Sequence, residues 1–409
     1  MIALVDLIVQ FEPDLLQRYG QRLLPSHHQA LTAMKRCRTR FAPRMLAQCT
    51  GCGDERSVAH SCGHRACPHC QHHDSQVWIE RQRAALVPAT YFLVTFTLPA
   101  ELRALAFGHQ RVVYALLMQC AWETLATFSR NDPKLAATPG AVGVLHTHSR
   151  RLDFHPHVHM VMPAAALDTA QRLWRTKVRR TRRRKRGGSG SGGGGGGGGA
   201  ASGGYLFNHK ALAKVFRGKV LDAIKAAGLT LPEKFPHTWV VDCKAVGDGS
   251  QALLYLGRYL YRGVVQEADI LGCMDGNVTF RYRDAKTDKT QTRTLPGADF
   301  LWLVLQHVLP KGLRRSRNFG FLHPNSTRSI QLLHSLRLRA QPAPAKAADP
   351  PRPAWRCACG QPMRVLCRRM PPQVPDAGWK AGPAPSPPCA TPGLARNNSP
   401  RPDRTATMH

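Results

Sequence analysis

Two C-x-x-C pairs, Cys49-x-x-Cys52 and Cys67-x-x-Cys70, are separated by fourteen residues and constrain this chain more than anything else in it. Residues 37–74 are rich in Cys, His and Gly and too poor in apolar side chains to build a core unaided. A metal has to stand in for that missing core. Each pair suits a tight turn that aims both sulfurs at one ion, so Cys49, Cys52, Cys67 and Cys70 are expected to form a single tetrahedral structural zinc site. Gly51 and Gly53 relax the first turn, and Pro68 stiffens the second. Four sulfurs leave no open coordination position, which excludes catalysis by that ion. Cys37, His60, Cys62, His64 and His69 lie close by in sequence and read as packed or surface side chains in preference to a second site. The cysteines cluster in C-x-x-C pairs and the apolar start, MIALVDLIVQFEPDLL, has no basic leader, so a reducing compartment is expected rather than a disulfide framework.

The charge narrows the partners. Lys and Arg number 58 against 25 Asp and Glu, a formal net charge of +33, and such an excess repels itself in a compact state unless a polyanion offsets it. Nucleic acid is the expected partner. An anionic membrane surface is the weaker alternative, and no membrane-spanning segment is expected, since no stretch approaches the roughly 18 consecutive apolar residues of a span. Beside the first cysteine pair, Arg36, Arg38, Arg40 and Arg44 are candidates for DNA contact.

Periodicity organises the remainder. Residues 1–36 look helical, and the stretch from Trp78 to Ala89 is a basic helix running into Pro88. YFLVTFTLP (Tyr91 to Pro99) reads as a buried strand, residues 101–129 as a long helix, and GVLHTHS with DFHPHVHMVMP (153–163) as two strands joined around Arg150 and Arg151. RTKVRRTRRRKR carries nine basic residues in twelve and leads into a Gly/Ser run, so residues 175–204 are expected to be an unstructured insertion. Helices follow at KALAKVFRGKVLDAIKAAG, SQALLYLGRYLYR and ADFLWLVLQHVLP, with a strand at TWVVDCKAV and a hairpin over 277–296. Beyond about Ala340 the Pro-rich chain is expected to be disordered.

His157-Val158-His159 carries the chemistry. Side chains alternate along a strand, so both imidazoles face one side and can hold one divalent cation. His146, on the preceding strand, is the expected third ligand; His148 shares its face and His155 shares that of His157, so either can substitute. Tyr255 and Tyr259 sit four apart on a helix, hence on one face, with Tyr261 pointing elsewhere. One phenol can hold a cleaved DNA end while the other attacks a second phosphodiester. The phosphotyrosine bond conserves the energy for rejoining, so no nucleotide cofactor is required. Arg258 lies between them and is expected to contact DNA, and either it or the field of the metal is expected to favour the phenolate.

With these residues in view, the chain resembles the transposases of the insertion sequence 91 family. The likeness covers most of residues 10–335: CTGCGDERSVAHSCGHRACPHC, YFLVTFTLPAEL, LHTHSRRLDFHPHVHMVMP, YLGRYLYR and HVLPKGLRRSRNFGFL, in that order. It implies an α+β, Rep/HUH-like nuclease with a central antiparallel sheet, preceded by a small helical zinc-binding domain. The expected division of the chain is 1–86 for the zinc-binding, DNA-recognising domain, 88–174 and 205–335 for the nuclease, and 336–409 for a disordered tail, with the 175–204 insertion a departure from the family. The likeness further implies single-stranded DNA at transposon ends and target as partner, a 5′-phosphotyrosine intermediate, Mg²⁺ or Mn²⁺ at the histidines, structural Zn²⁺ and a cytoplasmic, nucleoid-associated setting in bacteria. Ala66 stands where relatives carry His, residues 260–266 (LYRGVVQ) depart from the family's sequence, and Cys357-x-Cys359 is one residue short of C-x-x-C, which counts against a C-terminal zinc site. Two other readings share parts of this pattern: a plasmid replication initiator or relaxase with the same chemistry, and a decayed, non-catalytic zinc-dependent DNA-binding protein.

Overall fold

The computed structural model describes residues 2–177, 206–261, 263–284, 287–326 and 355–372. Two compact units divide the chain: Met1–Lys35 with Cys62–Arg352, and Arg36–Ser61 with Pro353–His409. The architecture is α+β, with every strand pair antiparallel.

The larger unit is built on a seven-stranded sheet. Its strands are β3 (Tyr91–Thr97), β4 (Thr138–His148), β5 (Phe154–Pro163), β6 (Ala165–Asp168), β7 (Leu173–Thr176), β8 (Val241–Ala245) and β12 (Ser316–Gly320). They run in the order β7-β6-β4-β5-β3-β8, with β12 also paired to β4. β4 is buried along nearly its whole length because helices cover both faces. On one face α5 (Gln110–Asn131) and α6 (His209–Ala226) pack Leu117, Leu125, Phe216 and Val220 against Val94, Phe96, Leu145, Val158 and Met160. On the other, α7 (Ser250–Tyr261) places Leu253, Leu256 and Leu260 over Val142, Val144 and Val161. Strand alternation therefore commits His146, His157 and His159 to the α7 face.

A smaller sheet of the same unit is formed by β9 (Ile270–Met274), β10 (Asn277–Arg283) and β11 (Thr290–Pro296). Asp275-Gly276 closes β9 to β10 with both residues at positive φ (48° and 73°), as a two-residue hairpin turn requires. Helix α8 (Gly297–Leu305) packs on α1 (Leu4–Tyr19), with the rings of Tyr19 and Trp302 stacked at 4.9 Å. A Cβ at Gly297 would lie 2.3 Å from Phe11, so only glycine permits that approach.

In the smaller unit β1 (Arg44–Cys49) lies between β2 (Glu55–Ala59) and β13 (Met363–Met370). Among its described residues, the buried apolar side chains are only Ala42, Ala47, Cys49, Cys357 and Cys367.

Two expectations need correction, and the compact units cut across a third: α1 and all but the last residue of α2 (Pro25–Arg36) fall in the larger unit, where their apolar faces find a core that the cysteine segment lacks. The tail is not wholly unstructured, since residues 363–370 form a strand whose backbone pairs with β1. The expected insertion starts too early at 175, because β7 continues to Thr176 on β6; residues 178–204, 336–354 and 373–409 lie outside the described residues.

Candidate active site and cysteine clusters

Antiparallel register brings the histidines together. His146 on β4 lies opposite His157 on β5, and His159 sits two residues further along β5. Ring centroids are 5.1 Å apart for His146 and His157, 4.3 Å for His146 and His159, and 4.8 Å for His157 and His159. One nitrogen from each ring falls within 4.8 Å of the other two. His157 Nδ1 donates to the His155 carbonyl at 2.7 Å, which leaves Nε2 with a free lone pair. His159 Nδ1 is hydrogen-bonded to Thr95 Oγ1 at 2.9 Å, while His146 Nε2 is buried with no hydrogen-bond partner. Burial holds all three rings neutral: it drives His146 and His159 well below the ordinary imidazole range and His157 down to about 4.

His148 and His155 do not join them. A register shift between His146 and His148 interrupts the alternation that would have put His148 on the same face. Its Nδ1 donates to the Ser149 carbonyl at 3.0 Å and its ring lies 5.0 Å from His307. His155 Nδ1 instead accepts from Arg103 at 2.7 Å.

Helix α7 sets both tyrosines beside this cluster and treats them differently. The Tyr259 ring stacks on His146, with centroids 3.3 Å apart and planes at 14°. Its hydroxyl is buried beside the backbone of Thr147 and His148 but makes no hydrogen bond of normal geometry. Burial pushes that phenol up to about 12, against the opposing pull of the Arg315 guanidinium. Tyr255 is 55% exposed, its ring 6.4 Å from that of His146. The helix is seated by α3 (His72–Ala84): a Cβ at Gly257 would lie 2.2 Å from Ile79, and Ser75 Oγ donates to the Gly257 carbonyl at 3.1 Å.

Arg315 was not singled out by sequence reasoning. It donates to the Leu260 carbonyl at 3.0 Å and stands 5.0 Å over the Tyr259 ring. Its only signal was membership of the basic run after the last helix. A groove of about 480 Å³ opens past Tyr255 and Tyr259, and Arg150, Arg258, Arg281 and Arg283 also line it. Arg281 is paired with Asp269 at 2.8 Å and Arg283 with Asp288.

The four expected zinc ligands separate into two clusters. Cys67 and Cys70 gather with Cys62, whose sulfur is 3.7 Å from that of Cys70. Cys49 and Cys52 gather with Cys357 and Cys359. The cause is the β1–β13 pairing, which delivers the C-terminal pair where spacing alone suggested Cys67 and Cys70. Of the arginines placed beside the cysteines, Arg36 ends α2, Arg38 adopts φ 59° with its N–H on the His60 carbonyl at 3.0 Å, and Arg40 lies over the Phe41 ring at 5.1 Å. Arg44 instead donates to Ser57, at 2.7 Å to its hydroxyl and 2.6 Å to its carbonyl.

Comparison with known proteins bears on both regions. A family model described as "Transposase zinc-binding domain" matches residues 7–98, and one described as "Putative transposase" matches residues 140–329. The chain is 29% identical over 339 residues to the "Putative transposase y4qJ" of Sinorhizobium fredii, covering 76% of this chain and 79% of that protein. It is 27% identical over 293 residues to the "Transposase for insertion sequence element IS801" of Pseudomonas savastanoi pv. phaseolicola, covering 66% of this chain and 63% of that one. No solved structure matches the chain.

Proposed function

Because the chain belongs to the transposases of the insertion sequence 91 family, we propose that it cuts and rejoins single-stranded DNA at element ends through a 5′-phosphotyrosine intermediate, on a Rep/HUH-like nuclease scaffold. The observation that carries this reading is the meeting of three neutral imidazoles with two tyrosines beside an arginine-lined groove.

The residues fit a divalent ion. His146 Nε2 is buried and unpartnered, and His157 is already oriented by its Nδ1 bond, so both offer lone pairs toward a common point. His146, His157 and His159 would hold Mg²⁺ or Mn²⁺, which when bound supplies Lewis-acid polarisation of the scissile phosphate. The arginines of the groove neutralise the phosphates that flank it. A tyrosine oxygen attacks phosphorus, the bond from phosphorus to the 3′-oxygen breaks, and that oxygen leaves as a hydroxyl with the proton the phenol gave up. One phosphodiester is exchanged for another, so no nucleotide is consumed. The exposure of Tyr255 at the groove supports a first attack by that phenol, and the burial of Tyr259 against His146 supports a second one by Tyr259.

Incubation with Mn²⁺ and labelled single-stranded element-end DNA should give a denaturation-resistant adduct. Tyr255→Phe should abolish it, and Tyr259→Phe should leave the adduct but block transfer between two ends. An adduct at a single origin-like site with no two-end transfer would favour a replication initiator or relaxase. Absence of any adduct from folded, DNA-bound protein would leave only the decayed DNA-binding reading.

A further inference from the structure

We infer that Cys49, Cys52, Cys357 and Cys359 form one closed zinc site that fastens the C-terminal strand β13 onto the N-terminal hairpin of β1 and β2. The family match to a zinc-binding domain ends at residue 98 and so contains only half of these ligands. This inference is independent of the DNA-cleavage reading.

The sulfur positions suit such an ion. Cys49 Sγ is 3.4 Å from Cys359 Sγ, Cys52 Sγ is 3.6 Å from Cys357 Sγ, and all four lie within 4.8 Å of one another. A tetrahedron with Zn–S bonds of about 2.3 Å has edges of about 3.8 Å. The same separations are too long for disulfides, whose sulfurs lie about 2.05 Å apart. An all-sulfur set selects a soft ion over magnesium, calcium or manganese.

The backbone prepares both halves. The Gly51 N–H lies 3.4 Å from Cys49 Sγ, a bond that favours the thiolate. Cys357 N–H donates to the Gln361 carbonyl at 2.9 Å, and Gly360 turns the chain at φ +84° with its N–H on the Cys357 carbonyl. That turn lets a C-x-C spacing present two sulfurs together where C-x-x-C was expected. Thr50 ties the halves directly, through its N–H at 3.1 Å and its hydroxyl at 2.9 Å to the Pro362 carbonyl. Cys357 Sγ lies 3.7 Å from Asp54 Oδ2.

The test measures zinc per full-length chain by elemental analysis. Cys357→Ser/Cys359→Ser and Cys49→Ser/Cys52→Ser should each lose the same single equivalent, and the four-fold variant should lose no more. Retention of the wild-type zinc content by Cys357→Ser/Cys359→Ser would overturn the assignment, as would loss of two equivalents by the four-fold variant. Unmutated protein gives a second readout that does not depend on variants folding. During graded chelation, mass-spectrometric mapping of alkylation should show all four thiols protected with zinc and becoming reactive together. Rapid modification of Cys357 and Cys359 while Cys49 and Cys52 stay protected would overturn it.

Discussion

The histidine centre and the cysteine clasp both gather metal-ligating side chains, yet they are held together by opposite means. His146, His157 and His159 ride on strands fixed by apolar packing on both faces, where each fully buried Leu, Val or Phe contributes about 1.5–3 kcal/mol. Their geometry exists before any ion arrives. The smaller unit buries two alanines and three cysteines among its described apolar residues, far too little to order a three-stranded sheet. There the ion supplies the folding energy, on the order of 10 kcal/mol or more for a structural zinc. One cluster is assembled by packing; the other needs the proposed ion to form.

Removing zinc tests this contrast most severely. A chelator should abolish protease resistance over residues 36–61 and 355–372 while the near-ultraviolet dichroism of the large sheet persists. Loss of both signals in a single transition would erase the distinction. His157→Ala/His159→Ala sits at the other pole: it should lower the cleavage rate on the order of a thousandfold or more, several kcal/mol of lost metal assistance. Thermal unfolding of the larger unit should be unchanged or shifted slightly upward, since two polar rings leave a site built by its neighbours. A large fall in melting temperature would show that the histidines hold the sheet together after all. Thr95→Val is the finest probe. It removes the hydroxyl beside His159 Nδ1 and keeps the volume, so Mn²⁺ affinity should weaken about 10–100-fold. Unchanged affinity would mean that strand packing alone orients the ring.

What could be read in the sequence follows the same divide. β3, β5 and α7 were legible because their apolar residues repeat at strand or helix period over a continuous stretch, and the convergence of His146 with His157 and His159 follows from alternation plus a short connection. The exclusion of His148 was not legible, since a bulge between two β4 residues leaves no mark in residue type. Nor was the strand character of ERSVA, which is short, polar and largely exposed, or of MRVLCRRM, whose apolar residues are mostly exposed; each is a strand because it pairs with β1. Cysteine spacing identified Cys49 and Cys52 as a pair but could not choose their counterpart. Nothing local distinguishes a ligand fourteen residues away from one about three hundred residues away.

That separation has a consequence for how the protein is made. Cys52 and Cys357 are 305 positions apart, so β1 and β2 leave the ribosome long before the strand that completes them. At about 5–20 residues per second, the hairpin waits roughly 15–60 s for β13 while the larger unit is still being synthesised. Throughout that interval Cys49 and Cys52 remain without half of their ligands, exposed to oxidation and to competing thiols. Closure of the clasp therefore reports that translation has reached at least residue 370, and a chain stopped short of β13 carries an unfinished N-terminal sheet with a free strand edge, open to pairing with another chain.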